Sequence, residues 1–446
     1  MEGCLIIGTA LPCFQVAYKT QSERKTPMNK DRLSWFRDAK YGLFIHWGLY
    51  SILGGDWKGV TAPHIAEWIM RTLQIPLSEY RMLTKEFNPK DFDPSFYVRR
   101  AKQWGMKYIV VTAKHHDGFA LFDTAVSDYS VMNTPYGKDI IRQFADACAR
   151  EGMTFGVYYS QMQDWEHPDG DGNTWDFKKE EKVFSRYFYE KALPQVRELL
   201  TNYGSLGLIW FDTPYDMPKP LCEELAATVH SLQPDCLING RIGYGLGDYR
   251  QAADNLIPLL SRPDAWESPM TLNSTWGYSQ SDNDFKAPST VIENLVRIAG
   301  KGGNLLLNVG PDAHGRIPVR SDEILSEVGE WMQQYGESVY GTSNAPDFPY
   351  ILPWGELTYR KEPPTLYLHV KKYPTKAPYR ILLTGLETPV ESATLLKDGT
   401  PLKFTQTYEP ARDEHRFRVF LPEHCPNEND TVVKVTLKGE ASAQTL

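Results

Sequence analysis

The amino-acid sequence predicts a (β/α)8-like, TIM-type barrel, somewhat irregular, followed by an antiparallel β-sandwich. Three observations support this prediction. Apolar β-branched runs alternate with helical segments from about residue 33 to residue 340, as in a parallel sheet covered by helices. Polar residues follow several of these runs. From about residue 350, Pro and Gly turns separate alternating strands. We therefore expect the barrel at 31–345 and the sandwich at 346–446.

The composition sets the size of the fold and the kind of partner. With 446 residues, 41% of them apolar, the chain is long enough for a large barrel and an accessory domain. A net charge of −8 argues against a nucleic acid or an anionic membrane as partner. The 13% of aromatic residues suits either sugar stacking or core filling. Six Cys without metal-like spacing neither require nor exclude an oxidising compartment.

The first 30 residues are expected to form a leader. Residues 4–14 are apolar and have the length of a signal-peptide core, but no basic segment precedes them. Both a signal peptide and a disordered leader therefore remain open. The first favours a secreted, periplasmic or lysosomal-type location, and a cytoplasmic location stays open. No later segment approaches the ~20 apolar residues that span a bilayer.

The elements of the barrel can be assigned in chain order. Its strands are predicted at 41–46, 107–113, 154–160, 206–212, 236–241, 265–267 and 303–311. Its helices are predicted at 96–105, 140–151, 177–203, 223–232, 290–299 and 323–335. Pro194 is expected to break the third helix. Residues 240–288 carry little helical signal, so the barrel is expected to be irregular there.

The sandwich is predicted from the alternation of apolar and polar residues in the last 100 residues. Its clearest strands are expected at 365–370, 379–383 and 431–437, and helical spacing is nearly absent between them.

Polar side chains follow four of the predicted barrel strands, and two more strands carry them at comparable positions. The carboxyl ends of parallel strands meet at one rim, where barrels build their sites. We therefore expect these side chains to converge. They are His46, His115 with His116, Asp212, Glu267, Tyr158 and Arg241.

Two of these residues are carboxylates with the properties of a glycosidase pair. Asp212 ends an apolar run, and alternation places Trp210 on the same face. Retaining glycosidases need an ionised nucleophile and a protonated acid roughly 5–5.5 Å apart. Asp212 suits the nucleophile. Glu267 suits the acid, because the neighbouring Trp266 would raise its pKa. The alternative for Glu267 is an ordinary loop carboxylate.

The pair His115-His116 suggests a metal site or hydrogen bonding to hydroxyl groups. Adjacent side chains point to opposite faces of an extended segment, and no His-x-His or His-Glu-x-x-His element accompanies them. Neutral imidazoles that bind sugar hydroxyls are favoured, and a loop-capping role stays open for one of them. Glu67 could accept hydrogen bonds from sugar hydroxyls while Trp68 stacks on the sugar. Alternatively, Glu67 is an exposed helix residue and Trp68 belongs to the core.

The ordered motifs of the chain resemble those of the retaining α-L-fucosidases of glycoside hydrolase family 29. The resemblance covers about residues 33–340. It rests on WFRDAKYGLFIHWG at 35–48, KHHDGF at 114–119, FGVYYS at 155–160, WFD at 210–212 and GGNLLLNVGP at 302–311.

This resemblance implies an exo-acting glycoside hydrolase with a barrel and a β-sandwich, which removes terminal α-L-fucosyl residues by double displacement. It implies Asp212 as nucleophile. Glu267, with TWGY at 275–278 after it, fits the acid/base, and Glu166 and Glu293 are weaker candidates. It also implies fucose contacts from His46, Glu67, Trp68, His115, His116, Tyr158, Trp210 and Arg241.

No metal and no other cofactor is expected. The expected partners are fucosylated oligosaccharides or glycoconjugates, without nucleic acid or membrane, and a homo-oligomer stays open. Two other functions remain as alternatives: a non-catalytic fucose-binding barrel and a metal-dependent hydrolase that uses His115 and His116. The fucosyl linkage and the preferred aglycone cannot be read from the sequence.

Overall fold

The computed structural model describes residues 32–444. The amino-terminal part of this range contains an eight-stranded sheet in which all paired strands are parallel. The expected leader, residues 1–30, lies outside this range. The barrel strands are β1 Tyr41–Ile45, β2 Tyr108–Lys114, β3 Thr154–Tyr159, β4 Leu208–Phe211, β5 Leu237–Ile238, β6 Arg250–Gln251, β7 Trp266–Thr271 and β8 Asn304–Val309.

The sheet curls into an irregular barrel. Its strand order is β5-β4-β3-β2-β1-β8-β7-β6. The two edge strands, β5 and β6, approach each other through a single parallel bridge between Asn239 and Tyr249. Strands β1, β2 and β8 are buried along their whole length, as expected for parallel strands covered on both faces. The predicted barrel is thus confirmed.

Helices cover the outside of the barrel except at one side. The main helices are α1 Ser34–Ala39, α2 Pro94–Gln103, α3 Ile140–Glu151, α4 Leu193–Asn202, α5 Lys219–Leu232, α6 Pro288–Gly300 and α7 Val319–Tyr335. Between residues 240 and 287, the only helical element is the 3-10 turn Gly240–Ile242, which confirms the irregularity predicted there. No helix within residues 32–444 combines the length and apolarity needed to traverse a bilayer.

Local signals set the ends of these helices. The Asp139 side chain accepts from the backbone N–H of Arg142 at 2.7 Å, and Gly152 ends α3 with a φ of 64°. The helix predicted at 177–203 begins only at Phe184, and the π-turn Phe188–Ala192 divides it ahead of Pro194. Proline has no N–H to donate, so the helical hydrogen-bond ladder shifts ahead of it.

The carboxyl-terminal part consists of two antiparallel sheets packed on a core of their own. Their strands are β9 Gly355–Arg360, β10 Thr365–Val370, β11 Arg380–Thr384, β12 Val390–Leu395, β13 Phe404–Glu409, β14 Glu414–Phe420 and β15 Thr431–Leu437. The sheet orders are β9-β10-β15-β12 and β11-β14-β13. This confirms the predicted sandwich.

A buried polar network joins the sandwich to the barrel. His369 on β10 lies 2.6 Å from Asp430 through Nδ1 and 3.1 Å from Thr358 through Nε2. Both His369 and Asp430 are fully buried. The Thr358 hydroxyl donates to the Ser338 carbonyl, and Trp331 on α7 donates to the Asp430 carbonyl at 3.3 Å. The network therefore ties three elements of the sandwich to the end of the barrel.

Replacing Asp430 by Ala should destabilise this junction. The change leaves the buried Nδ1 of His369 without its acceptor, so we expect the free energy of unfolding to fall by about 3 kcal/mol. Urea denaturation of the full chain measures the effect. The change Glu423→Ala, at an exposed position of the same sandwich, should cost less than about 0.5 kcal/mol. Equal effects of the two changes would contradict a role for the network.

Candidate active site

The carboxyl ends of four neighbouring strands, β1 to β4, deliver side chains to one pocket. His46 follows β1, His115 and His116 follow β2, Tyr158 lies near the end of β3, and Asp212 follows β4. The Tyr158 ring is stacked on His115 with centroids 5.3 Å apart, and the His46 ring lies 5.5 Å from each of them. The predicted convergence is therefore present for these five residues.

Asp212 is a buried carboxylate held by several donors. Its Oδ1 accepts from Arg241 Nη1 at 2.8 Å and from the backbone N–H of Thr213 at 2.9 Å. Its Oδ2 accepts from the Tyr158 hydroxyl at 2.9 Å. Burial alone would raise the pKa of Asp212, but the Arg241 charge and these hydrogen bonds outweigh it and hold the pKa below its usual value. Asp212 is thus ionised and fixed in orientation, as a nucleophile requires.

The hydrogen bonds of His46 determine which of its ring nitrogens carries the proton. Its Nδ1 lies 2.7 Å from Asn308 Oδ1, while Asn308 Nδ2 donates to the Trp276 carbonyl at 2.7 Å. The amide oxygen of Asn308 can only accept, so His46 Nδ1 must donate to it. Burial lowers the pKa of His46 to about 4, and the neutral ring therefore has an unprotonated Nε2. This nitrogen can accept a hydrogen bond from a ligand.

His116 is held in the same tautomer by a different partner. Its Nδ1 lies 2.7 Å from the Ser160 hydroxyl, which itself donates to the Gln163 carbonyl at 2.8 Å. The hydroxyl oxygen must therefore accept from Nδ1, and Nε2 is left as an acceptor. Nε2 lies 3.5 Å from Asp212 Oδ2. Burial lowers the pKa of His116 to about 3, so this ring is also neutral at physiological pH.

A buried ion network supports the segment that carries His115 and His116. Lys114, which precedes them, donates to Asp164 Oδ2 at 2.9 Å, and Lys191 lies at the same distance from that oxygen. The loop after Asp164 also donates a backbone hydrogen bond to the His116 carbonyl. The orientation of the two imidazoles therefore depends on these ion pairs.

The residues around the pocket form no metal-ligand cluster. Within residues 32–444, no group of three or more His, Cys, Asp or Glu side chains has the arrangement of a metal site.

Glu67 is a buried acceptor rather than an exposed helix residue. Its Oε2 accepts from the backbone N–H of Gly277 at 2.8 Å and from the Thr275 hydroxyl at 3.1 Å. Its Oε1 is buried and has no hydrogen-bond partner among the described residues. Burial raises the pKa of Glu67 to about 7. Beside it, the Trp68 ring meets His116 edge to face at 5.3 Å. The free oxygen can receive a hydroxyl donor.

Aromatic rings form the floor of the pocket. Trp210 is stacked on Tyr158 with centroids 5.5 Å apart and lies 5.0 Å from Phe44. The Trp276 ring lies 5.1 Å from His46. These rings offer an apolar surface beside the nitrogen and oxygen acceptors, which suits a ligand with both hydroxyl and methyl groups.

Glu267 lies below this floor, and its predicted place at the end of a strand is wrong. Strand β7 begins at Trp266 and continues to Thr271. Glu267 pairs with Asn304 at the start of β8, whereas Thr271 pairs with Asn308, the residue that holds His46. Four residues of strand correspond to about 13 Å. Glu267 is therefore near the opposite end of the barrel from the rim.

The contacts of Glu267 agree with this position. Its Oε1 accepts from Trp210 Nε1 at 2.9 Å, and its Oε2 accepts from the Tyr108 hydroxyl at 2.7 Å. The side chain has no exposed surface, and Trp210 separates it from the pocket. Both oxygens are thus engaged within the core, and Glu267 is not positioned to protonate a leaving group.

Sequence reasoning missed Asp254, a carboxylate at the rim. It follows β6, and its Oδ1 accepts from Arg241 Nη2, while Nη1 of the same guanidinium contacts Asp212. Its side chain is 45% exposed. One guanidinium thus holds the two carboxylates side by side at the mouth of the pocket. The segment has no periodic signal, so only the Arg241 contact identifies Asp254.

The two weaker candidates lie elsewhere. Glu166 is bound by Arg81 at 2.5 Å and by Lys191 at 2.8 Å, as part of the ion network described above. Glu293 lies on the outer face of α6, within salt-bridge distance of Arg297 and Lys371. Neither contacts Asp212.

Comparisons with known proteins point to one family. A family model described as alpha-L-fucosidase matches residues 12–337. A putative alpha-L-fucosidase of Caenorhabditis elegans is 30% identical over 343 residues, which cover 70% of this chain and 68% of that protein. The alpha-L-fucosidase structure from Vibrio sp. strain EJY3 is 33% identical, with a TM-score of 0.88, and the match covers 94% of this chain and 74% of that one.

A further similar structure holds a reaction intermediate. It is the trapped covalent intermediate of an alpha-L-fucosidase from Bacteroides thetaiotaomicron with 2-fluoro-fucosyl fluoride. It is 29% identical, has a TM-score of 0.81, and the match covers 92% of this chain and 96% of that one.

The buried position of Glu267 predicts a pH-dependent effect of Glu267→Gln on stability. Burial raises the pKa of Glu267 from 4.5 to about 7, so its stabilising contribution is complete below pH 4.5 and is lost as the pH rises to 7. Gln does not titrate, and its amide can accept from Trp210 and donate to Tyr108. Relative to the wild type, the free energy of unfolding of the variant should rise by about 3 kcal/mol between pH 4 and pH 8.

Urea denaturation at the two pH values measures this difference. Glu330→Gln, at an exposed position on α7 with no ion pair among the described residues, serves as the matched control and should show no such change between pH 4 and pH 8. A difference for Glu267→Gln that does not vary with pH would contradict a protonated, buried Glu267.

Proposed function

The chain belongs to the alpha-L-fucosidase family of glycoside hydrolases, and on this basis we propose that it is an exo-acting, retaining α-L-fucosidase. The observation that carries the proposal is the ionised Asp212 at the end of β4, held by Arg241 and Tyr158 at the edge of a pocket lined with acceptors. Family membership implies fucosylated glycans as substrates. A secreted, periplasmic or lysosomal-type location remains a prediction, with a cytoplasmic location as its alternative.

The pocket matches the chemistry of L-fucose. The sugar has three ring hydroxyls and an apolar methyl group at C6. The unprotonated Nε2 atoms of His46 and His116 and the free Oε1 of Glu67 supply acceptors for hydroxyl donors. The rings of Phe44 and Trp210 supply an apolar surface for the methyl group. Because both imidazoles are neutral, the pocket suits an uncharged sugar.

In the first step, Asp212 acts as the nucleophile. A carboxylate oxygen attacks the anomeric carbon, the bond to the leaving-group oxygen breaks, and that oxygen takes a proton from an acid. The product is a fucosyl ester of Asp212. The lowered pKa of Asp212 keeps it ionised for this attack. The covalent intermediate captured in the Bacteroides relative supports the same route in this chain.

We assign the acid/base role to Asp254 in place of Glu267. Retaining enzymes place their carboxyl groups about 5–5.5 Å apart, and Asp254 shares the Arg241 guanidinium with Asp212. Its exposed side chain can exchange protons with water. In the second step, Asp254 takes a proton from water, whose oxygen attacks the anomeric carbon and breaks the bond to Asp212. Fucose leaves with its anomeric configuration retained.

Replacing Asp212 by Gly should abolish hydrolysis of an aryl α-L-fucoside. Loss of the nucleophile should lower kcat by about 10⁴-fold. Azide should restore part of the turnover and give a fucosyl azide, because it occupies the space of the lost carboxylate. Asp235→Gly, at an exposed turn, is the control and should keep full activity. Full activity in Asp212→Gly would refute the proposal.

The dependence of kcat/KM on the acidity of the leaving group shows which carboxyl group is the catalytic acid. Asp254→Asn should lower kcat/KM about 10³-fold for a phenyl fucoside, which needs protonation, but much less for a dinitrophenyl fucoside, which does not. Glu267→Gln should keep both rates close to those of the wild type. Glu67→Gln should lower both rates together, since it would remove a sugar contact. A selective loss on the phenyl fucoside in either Glu variant would contradict the assignment of Asp254.

A further inference from the structure

A second cleft adjoins the pocket on the side of β3 and β4. It encloses about 450 Å³, and residues of three loops line it. Its lining includes the polar and aromatic side chains of Arg71, Asp171, Lys179, Tyr215 and Asp216.

A short chain of hydrogen bonds connects this cleft to the nucleophile. Arg71 Nη1 donates to Gln163 Oε1 at 2.9 Å, and Gln163 Nε2 donates to the Thr213 hydroxyl at 3.0 Å. The backbone N–H of Thr213 donates to Asp212 Oδ1. The Arg71 guanidinium also lies over the Trp68 ring, 5.0 Å from its centroid. Arg71 therefore stands at the boundary between the cleft and the pocket.

The turn after Asp212 places an aromatic ring at the mouth of the cleft. Thr213 and Tyr215 both have a positive φ, of 45° and 30°. This conformation is costly for a β-branched and for a bulky residue, and such strain is concentrated at functional sites. The Tyr215 side chain is 59% exposed. The strained turn therefore holds a large ring in the solvent, three residues from the nucleophile and at the edge of the cleft.

The groups around Tyr215 are those that bind sugar hydroxyls. Arg71 and Lys179 provide donors, and Asp171 and Asp216 provide acceptors. Donors and acceptors of both charges around one exposed ring suit a neutral polyhydroxyl ring better than an anion or an apolar group. The fucose pocket is closed at its floor by Trp210, so the rest of a glycan must leave at the rim, on which this cleft opens.

We propose that this cleft binds the sugar to which fucose is attached, with Tyr215 as its stacking surface. This inference rests on the proposed fucosidase activity. The cleft makes the enzyme selective for glycans over fucosides with small leaving groups. It also holds an acceptor sugar during transfer: the acceptor hydroxyl gives its proton to Asp254, its oxygen bonds to the anomeric carbon, and the ester bond to Asp212 breaks.

The test compares Tyr215→Ala with Tyr408→Ala, which replaces an exposed Tyr of the sandwich far from the cleft in the chain. The substrates are α-L-fucosyl fluoride, whose leaving group is too small to reach the cleft, and α1,2-, α1,3-, α1,4- and α1,6-linked fucosyl oligosaccharides. We expect kcat/KM of Tyr215→Ala to fall about tenfold for at least one oligosaccharide, and less than about threefold for the fluoride. Tyr408→Ala should change neither rate.

A second readout does not depend on the fraction of folded enzyme. With fucosyl fluoride as donor and galactose or N-acetylglucosamine as acceptor, the ratio of transfer to hydrolysis should fall about tenfold in Tyr215→Ala. Equal losses on fluoride and oligosaccharides, or an unchanged ratio and unchanged rates, would overturn the assignment of the cleft. Failure of the wild type to hydrolyse the fluoride would refute the fucosidase proposal instead.

Discussion

The buried negative charge of Asp212 is the constraint on which the site depends. An ionised carboxylate removed from water is costly unless a cation and hydrogen-bond donors replace the solvent. Arg241 supplies the cation, and Tyr158 and the Thr213 backbone supply donors. Each comes from a different strand end or loop, so the ionised state requires the completed barrel. The charge of Asp212 and the geometry of the rim therefore stabilise each other.

Two buried carboxyl groups on the same barrel show how the environment divides their roles. Asp212 has an ion partner in direct contact, and its pKa is lowered. Glu267 is bound by the neutral donors Trp210 and Tyr108, and burial raises its pKa to about 7. Trp210 lies between them and contacts Glu267 through its indole N–H. Glu267 thus anchors the ring that forms the floor above it. The position of Glu267 beside Trp266 suggested a catalytic acid, but its contacts with Trp210 and Tyr108 fix the floor of the pocket from below.

The sequence predicted the barrel because long apolar strands and amphipathic helices leave clear periodic patterns. It failed at β7, where Ser268 and Pro269 break the apolar run, so that the strand seemed to end at Glu267 although it begins beside it. Asp254 lies in a segment without periodicity, and its contact with Arg241 depends on the folded loops. The tautomer of His46 could not be predicted from the sequence either, because it depends on Asn308, which is more than 250 residues away along the chain.

The irregular side of the barrel also accounts for the second carboxylate. Between β5 and β7, no helix covers the sheet within residues 240–265, and the chain passes from the 3-10 turn at Gly240–Ile242 through β6 to Asp254. A regular helix would have carried this chain away from the rim to the outer face of the barrel. Without it, Arg241 and Asp254 stay at the mouth of the pocket, within reach of Asp212. The missing helix is therefore the reason why a candidate acid, Asp254, lies at the rim of the barrel.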